Sequence, residues 1–231
     1  MKTNLPKPAA SNTLSREGES CPLCYSRSAL LFSGPLGEHY DCPVCRGIFL
    51  GPEYLPPADR EKERYDTHNN DVSDLRYQQF VAPLVDCLLA EQSVEKAGLD
   101  YGCGPGPVIS YLLLGRGYSV ELYDPFYRPD QSVLKSKYDF IICSEVLEHF
   151  HRPALEFERL AGLLRPEGRI YCLTCLYDDL VPFGDWYYKN DPTHVFFYRA
   201  QTFNWTRDHF AFADCRIAGR LVVLQSARAR S

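Results

Sequence analysis

From about residue 94 onward, short apolar runs bounded by Gly, Pro and charged residues alternate with stretches of helical period. That pattern predicts βαβ units around a mostly parallel sheet. The strand-like runs are Val94 to Asp100, Tyr118 to Tyr123, Tyr138 to Cys143 and Arg169 to Thr174. A helix from Pro107 to Leu114 is stopped by Gly115 and Gly117. Another starts at Pro153, since a first helical turn has no use for the missing N–H. It sets Phe157, Leu160, Ala161 and Leu164 on one stripe before the turn Arg165-Pro166-Glu167-Gly168. Thr202 to His209 reads as a short helix, and Gly219 joins two last strands, Cys215 to Ala218 and Leu221 to Gln225. Upstream, Val81, Leu84, Val85, Leu88 and Leu89 recur at i, i+3, i+4, i+7 and i+8, the buried stripe of a helix that Pro83 starts or kinks. The expected organisation is a polar tail (1–20), a small module (21–51), a linker and helical cover (52–92) and an α/β domain (93–231), with helices on both faces of its sheet.

The chain has 231 residues, 45% of them hydrophobic, enough for one full-sized core plus a small appendage. Its net charge of −5 offers no nucleic-acid surface, and the run Arg228-Ala229-Arg230 is short enough to be a solvated tail. No apolar run approaches the roughly 20 residues needed to span a bilayer, so no membrane partner is expected. The N-terminus lacks the apolar centre of an export signal. Ten cysteines without that signal point to the reducing cytoplasm, and four of them form Cys21-x-x-Cys24 and Cys42-x-x-Cys45 with 17 residues between. Two such knuckles complete a tetrahedral Cys₄ site for a structural zinc ion, with Pro22 and Pro43 stiffening the turns. A segment of this size hardly folds alone, so the metal would supply much of its stability. Cys172 and Cys175 form a third pair inside a strand, where i and i+3 face opposite ways, and are read as core.

At the end of the first α/β strand stands Asp100-Tyr101-Gly102-Cys103-Gly104-Pro105-Gly106. Glycines there let the backbone turn tightly and a ligand approach it closely. A dinucleotide fingerprint would need glycine where Pro107 stands, and Asp100 would repel a pyrophosphate but could pair with a cationic amino group. Asp124 ends the next strand, where a carboxylate can accept ribose hydroxyls.

These residues, followed by Tyr138-Asp139-Phe140-Ile141-Ile142-Cys143-Ser144-Glu145-Val146-Leu147-Glu148-His149-Phe150 and then Leu164-Arg165-Pro166-Glu167-Gly168, resemble the class I S-adenosylmethionine-dependent methyltransferases over about residues 94 to 225. The resemblance implies a seven-stranded Rossmann-like sheet with the cofactor across the strands' C-terminal ends. It implies that Asp100, Gly102 and Gly104 hold the methionine end, with Cys103 and Gly106 in the same loop. Asp124 would hold the ribose, while Ser144 and Glu145 line the site. One departure stands out: only Pro125 to Lys137 separates the ribose-binding acid from the next strand, too short for a full crossover. Either the unit is reduced to a loop or the sheet has lost a strand, so no acid for the adenine amino group is assigned and Phe126 is the one candidate stacking wall.

Methyl transfer needs alignment and, for an acceptor bearing a proton, a base, for which histidine suits neutral pH. His149 occupies a position that carries a base in several O-methyltransferases which the segment resembles. His194 lies in an aromatic-rich stretch resembling the Pro-x-His-x-x-x-Tyr/Phe segment of methyltransferases acting on sugars and related metabolites. Tyr65 and His68 belong to a polar run expected to fold over the cofactor mouth, facing substrate. The alternatives are a packing role for His149, an aromatic surface loop for His194 and a solvated linker for Tyr65 and His68. The expected function is methylation of a small molecule at oxygen, nitrogen or carbon. An RNA methyltransferase docking through the zinc module is a rival, weakened because Arg27 is the one basic residue between Cys21 and Cys45. A non-catalytic protein that keeps the cofactor fold is another, at odds with intact Asp100, Gly102, Gly104 and Asp124.

Overall fold

The computed structural model describes residues 18–67, 71–210 and 212–228, so most of the expected tail lies outside the described residues. In chain order the elements are β1 (Ala29–Gly34), β2 (Gly37–Asp41), β3 (Ile48–Leu50), α1 (Ala58–Tyr65) and α2 (Leu75–Glu91). There follow β4 (Gly98–Tyr101), α3 (Val108–Leu114), β5 (Val120–Tyr123), β6 (Tyr138–Ser144), α4 (Pro153–Leu163) and β7 (Leu164–Leu173). The chain ends with β8 (Phe196–Phe197), α5 (Ala200–His209), β9 (Phe212–Ala218) and β10 (Leu221–Ser226).

The main sheet has the order β5-β4-β6-β7-β10-β9. Strands β4 to β7 pair in parallel, and β10 runs antiparallel to both β7 and β9. This is the Rossmann-like arrangement expected, but with six strands where the resemblance implies seven. The residues after β5 are too few for a helix and a strand. They form an antiparallel bridge between Asp124 and Arg128 and one 3-10 turn, Val133–Lys135.

Period-two alternation divides the core between the two faces of this sheet. Phe140 and Ile142 of β6, with Tyr171 and Leu173 of β7, pack on Val81, Leu84, Val85 and Leu88 of α2 and on α3. Their neighbours Ile141, Cys143, Ile170 and Cys172 face the other way, onto Phe157 and Leu160 of α4 and Phe203 of α5. Each such side chain contributes on the order of 2 kcal/mol by leaving water. The stripe read in α2 is therefore its buried face, with Pro83 inside the helix.

Several boundaries move. The first strand of the sheet begins at Gly98, because the Lys96 N–H turns back to the Ser93 carbonyl at 3.1 Å. The turn at Arg165–Gly168 becomes a bulge inside β7: Tyr138 pairs with Leu164 and Phe140 with Arg169, with Glu167 at φ 62°. Leu164 thus opens a strand and does not close a helix.

The small sheet has the order β1-β2-β3-β8, so its fourth strand comes from the far end of the chain. Ile48 pairs with Phe197 and Phe49 with Phe196. Arg199, 2% exposed, fastens the junction. Its guanidinium donates to the Asp41 carboxylate at 3.0 and 3.1 Å, to Asp179 at 3.0 Å and to the Arg46 carbonyl at 2.7 Å.

Candidate active site

The parallel strands end at a cleft of about 930 Å³. Its floor is the turn after β4. Gly102 and Gly104 have φ of 80° and 63°, values that side-chain-bearing residues avoid. A Cβ on Gly102 would meet Val146 at 2.5 Å, whereas one on Gly104 would project into open space. The main chain is thus bare to a ligand at Gly104. The N–H groups of Gly102 and Cys103 are tied to the Tyr123 carbonyl at the tip of β5. Asp124, 7% exposed, accepts from Gly104 N at 3.0 Å through Oδ2, and from Phe126 N and Tyr127 N at 2.8 and 3.0 Å through Oδ1. The carboxylate therefore fastens the loop and keeps one Oδ2 lone pair for a ligand.

Cys103, Gly106, Phe126, Ser144 and Glu145 also line the cleft. The Ser144 hydroxyl is buried there without a hydrogen-bond partner, an orphaned group that a polar ligand would satisfy. Glu145 sits at φ 53° and is held by Arg220 at 2.7 and 2.8 Å. Burial and the neighbouring Glu148 charge nevertheless push its carboxyl up to about 8. Asp100 does not line the cleft. It lies 5% exposed behind the loop, accepting from Ser110 Oγ at 2.7 Å, and burial pushes its carboxyl up to about 6.

The opposite wall carries His149 and His194, with ring centroids 4.9 Å apart. His149 Nδ1 lies 2.8 Å from the Thr193 carbonyl, and His194 Nδ1 lies 2.7 Å from that of Tyr188. A carbonyl only accepts, so each Nδ1 carries the proton and each Nε2 keeps its lone pair. Burial lowers the His149 pKa below its ordinary value, which favours the neutral ring. Over the mouth runs α1, held by three tethers. Arg64 pairs with Asp191 at 2.7 Å, His151 Nε2 lies 3.1 Å from Glu61, and Tyr127 donates to Asp66 at 2.6 Å. At the end of α1, Tyr65 stands edge-on to His149 with centroids 5.2 Å apart and lies 5.7 Å from Phe126.

A profile of the methyltransferase domain matches residues 73–214, more than half of the chain. The chain belongs to this methyltransferase family. Part of it is 29% identical over 86 residues to the ubiquinone biosynthesis O-methyltransferase of Aeromonas salmonicida, a match spanning 37% of this chain and 36% of that protein. Among solved structures, an O-methyltransferase family protein from Burkholderia thailandensis superposes with a TM-score of 0.53 at 17% identity, covering 74% of this chain and 64% of that one. The 1,6-didemethyltoxoflavin-N1-methyltransferase of the same organism, solved with bound 1,6-didemethyltoxoflavin and S-adenosylhomocysteine, gives 0.50 at 16% identity, covering 79% of this chain and 96% of that one. These structural likenesses are likenesses of fold.

Within the methyltransferase domain, the cleft brings together Gly102, Cys103, Gly104, Gly106, Asp124, Phe126, Ser144, Glu145, His149 and His194, with Tyr65 reaching in from α1. His68 lies outside the described residues. Sequence reasoning missed Asp191, Tyr188, Glu148 and Arg220. Asp191 carried a local signal, the turn in which Thr193 N and Oγ1 donate to its Oδ1 at 3.0 and 2.7 Å. Although burial opposes it, those bonds and Arg64 hold the Asp191 carboxyl well below the usual carboxylate range. The other three are recognisable only through their distant partners.

Away from the cleft, Cys21, Cys24, Cys42 and Cys45 place four sulfurs within 4.8 Å of one another. Cys21 and Cys45 Sγ are 3.5 Å apart, and Cys24 and Cys42 Sγ 3.2 Å, far beyond a disulfide bond. Sulfurs each about 2.3 Å from a tetrahedral ion stand roughly 3.8 Å apart, so the cage fits zinc. The two knuckles repeat each other. Tyr25 N donates to the Cys21 carbonyl and Arg46 N to that of Cys42, and Tyr25 and Arg46 have φ of 61° and 62°.

Proposed function

We propose that this protein transfers a methyl group from S-adenosylmethionine to a small-molecule acceptor, at oxygen, nitrogen or carbon. One observation carries the reading: a single cleft opposes a bare, carboxylate-fastened glycine turn to two histidines with free Nε2 lone pairs. Bound there, the cofactor supplies an electrophilic methyl on a sulfonium.

Gly104 leaves room for the cofactor's amino-acid end against the main chain, and the free lone pair of Asp124 is available to a ribose hydroxyl. Ser144 Oγ finds a partner in the ligand, and Phe126 offers a ring face to the base. Asp100 adds negative charge behind the loop, drawing a cationic amino group toward it. His149 and His194 take the acceptor's proton or orient its nucleophilic atom. The strap α1, with Tyr65 beneath it, keeps water from the acceptor.

Isothermal titration with S-adenosylhomocysteine tests the reading. Wild type should bind one equivalent, and Asp124→Ala should weaken that binding by about 1.5–3 kcal/mol, the range for hydrogen bonds to a charged group. A wild type that takes up no ligand would overturn the proposal.

The four-cysteine cage holds a structural zinc ion, since four protein ligands leave no position open for chemistry. No disulfide joins any of the ten cysteines, in keeping with a reducing compartment. Elemental analysis should find one zinc per chain. Cys42→Ser should lose it and melt at lower temperature, and a metal-free wild type would refute the assignment.

A further inference from the structure

The two histidines of the cleft have a third partner. One ring nitrogen from each of His149 and His194 and a carboxylate oxygen of Glu148 all lie within 4.8 Å of one another. Glu148 follows the end of β6, and His194 belongs to the segment after β7, 46 positions further along the chain. We propose that Glu148, His149 and His194 form a second metal site, one that takes a divalent cation between the buried Glu148 and the two cleft-lining histidines and leaves positions open toward the acceptor.

Two independent features support it. First, the histidines are already arranged as ligands. Each Nδ1–H is spent on a backbone carbonyl, that of Thr193 or Tyr188, which fixes ring and tautomer and leaves Nε2 as the nitrogen with a lone pair. Metal-binding histidines are typically oriented by such outer contacts. The carboxylate is oriented too, since Thr174 Oγ1 donates to Glu148 Oε2 at 2.9 Å and the Tyr188 hydroxyl donates to Oε1. Each oxygen keeps a lone pair for a cation.

Second, the wall lacks positive charge. Glu148 is fully buried, and among the described residues it has no salt-bridge partner within 4 Å, only those two neutral hydroxyls. The nearby Arg220 is committed to Glu145, and Arg64 to Asp191. A buried carboxylate without a cation is costly, and a divalent ion between Glu148 and the two imidazoles offsets that cost. Two imidazoles and one carboxylate suit a borderline ion such as Mn²⁺, Fe²⁺, Co²⁺ or Zn²⁺ rather than Ca²⁺ or Mg²⁺. Three protein ligands leave sites for oxygen donors, whereas the closed cysteine cage leaves none. Only the acceptor class rests on the methyl-transfer reading: a molecule presenting two neighbouring oxygen atoms, which would chelate the ion and lie against the cofactor's methyl.

Manganese is the probe of choice because it avoids thiolates, so the cysteine cage stays silent. Titrating the full chain with Mn²⁺, followed by loss of the free-ion electron paramagnetic resonance signal, should show one bound equivalent. His149→Ala, His194→Gln and Glu148→Gln should each weaken binding at least tenfold, and Thr174→Val, which touches only the outer contact, by about tenfold. Circular dichroism and metal-free melting curves identify any variant that fails to fold, and Thr174→Val keeps the shape of the site. A wild type without stoichiometric Mn²⁺ uptake overturns the site, and so does uptake unchanged in the folded variants. The same samples are titrated with S-adenosylhomocysteine. A wild type that binds the nucleoside but no Mn²⁺ loses the cation site and keeps the methyl-transfer reading, and the reverse result separates them the other way.

Discussion

At the scale of single residues, the two glycines of the loop show how alike letters take different tasks. Gly102 is required by its neighbour, since Val146 occupies the space a Cβ would need, while no atom of the described residues lies within 4 Å of where a Cβ on Gly104 would stand. Its left-handed backbone and open front make sense as clearance for something outside the chain. His149 shows the same dependence on surroundings. Its lowered pKa puts the folded value beneath the ordinary 6.5, so the ring is neutral at pH 7 with Nε2 able to accept a proton or a metal. Because the unfolded chain binds that proton first, this group contributes stability above about pH 6.5 and loses it as pH falls toward the folded pKa. Nitrogen NMR of the imidazole should therefore find His149 predominantly neutral at pH 6.5. A ring already mostly protonated at that pH would contradict the burial argument.

At the scale of elements, the helix α1 is the instructive case. Its sequence, Ala58-Asp59-Arg60-Glu61-Lys62-Glu63-Arg64-Tyr65, is charged nearly all round and carries no apolar stripe, so periodicity does not announce it. Three tethers to distant segments hold it in place, and at least one of them is exposed enough to be weak. Arg64→Ala should leave global stability within about 1 kcal/mol, because the Arg64 side chain is 38% exposed. It should nevertheless speed hydrogen exchange of the amides of Ala58–Tyr65. Unchanged exchange there would mean that the helix is held by packing, not by its tethers. The missing strand after β5 is the opposite case. Thirteen residues cannot hold a crossover, and the sheet accordingly has six strands.

At the scale of the molecule, the cysteine-bearing sheet is joined to the methyltransferase domain by a strand from between β7 and α5 and by a buried cation. Strand β8 completes the small sheet, and Arg199, two residues on, binds Asp41 from that sheet. Replacing a buried arginine strands its partners. Asp41 and Asp179 are 21% and 52% exposed and partly recover hydration, so Arg199→Leu should cost roughly 2–3 kcal/mol, short of the penalty for a sealed ion pair. Urea unfolding should show one shifted transition, because Arg199 ties the small sheet to the segment that leads from β7 into α5. Two separated transitions would show that the sheets unfold independently.

Much of this architecture is written locally. The alternation of strand and helix periods, the stripe in α2, the glycine turn with its two acids and the paired cysteine knuckles depend on residues a few positions apart, and sequence alone determined them. The place of β8 at the edge of the small sheet, the strap tethered from Arg64 to Asp191 across 127 positions, and the grouping of Glu148, His149 and His194 were decided only by the tertiary structure. The physical reason is that a side chain's partner at long range is chosen by packing of the whole core, and nothing in its immediate neighbours records that choice.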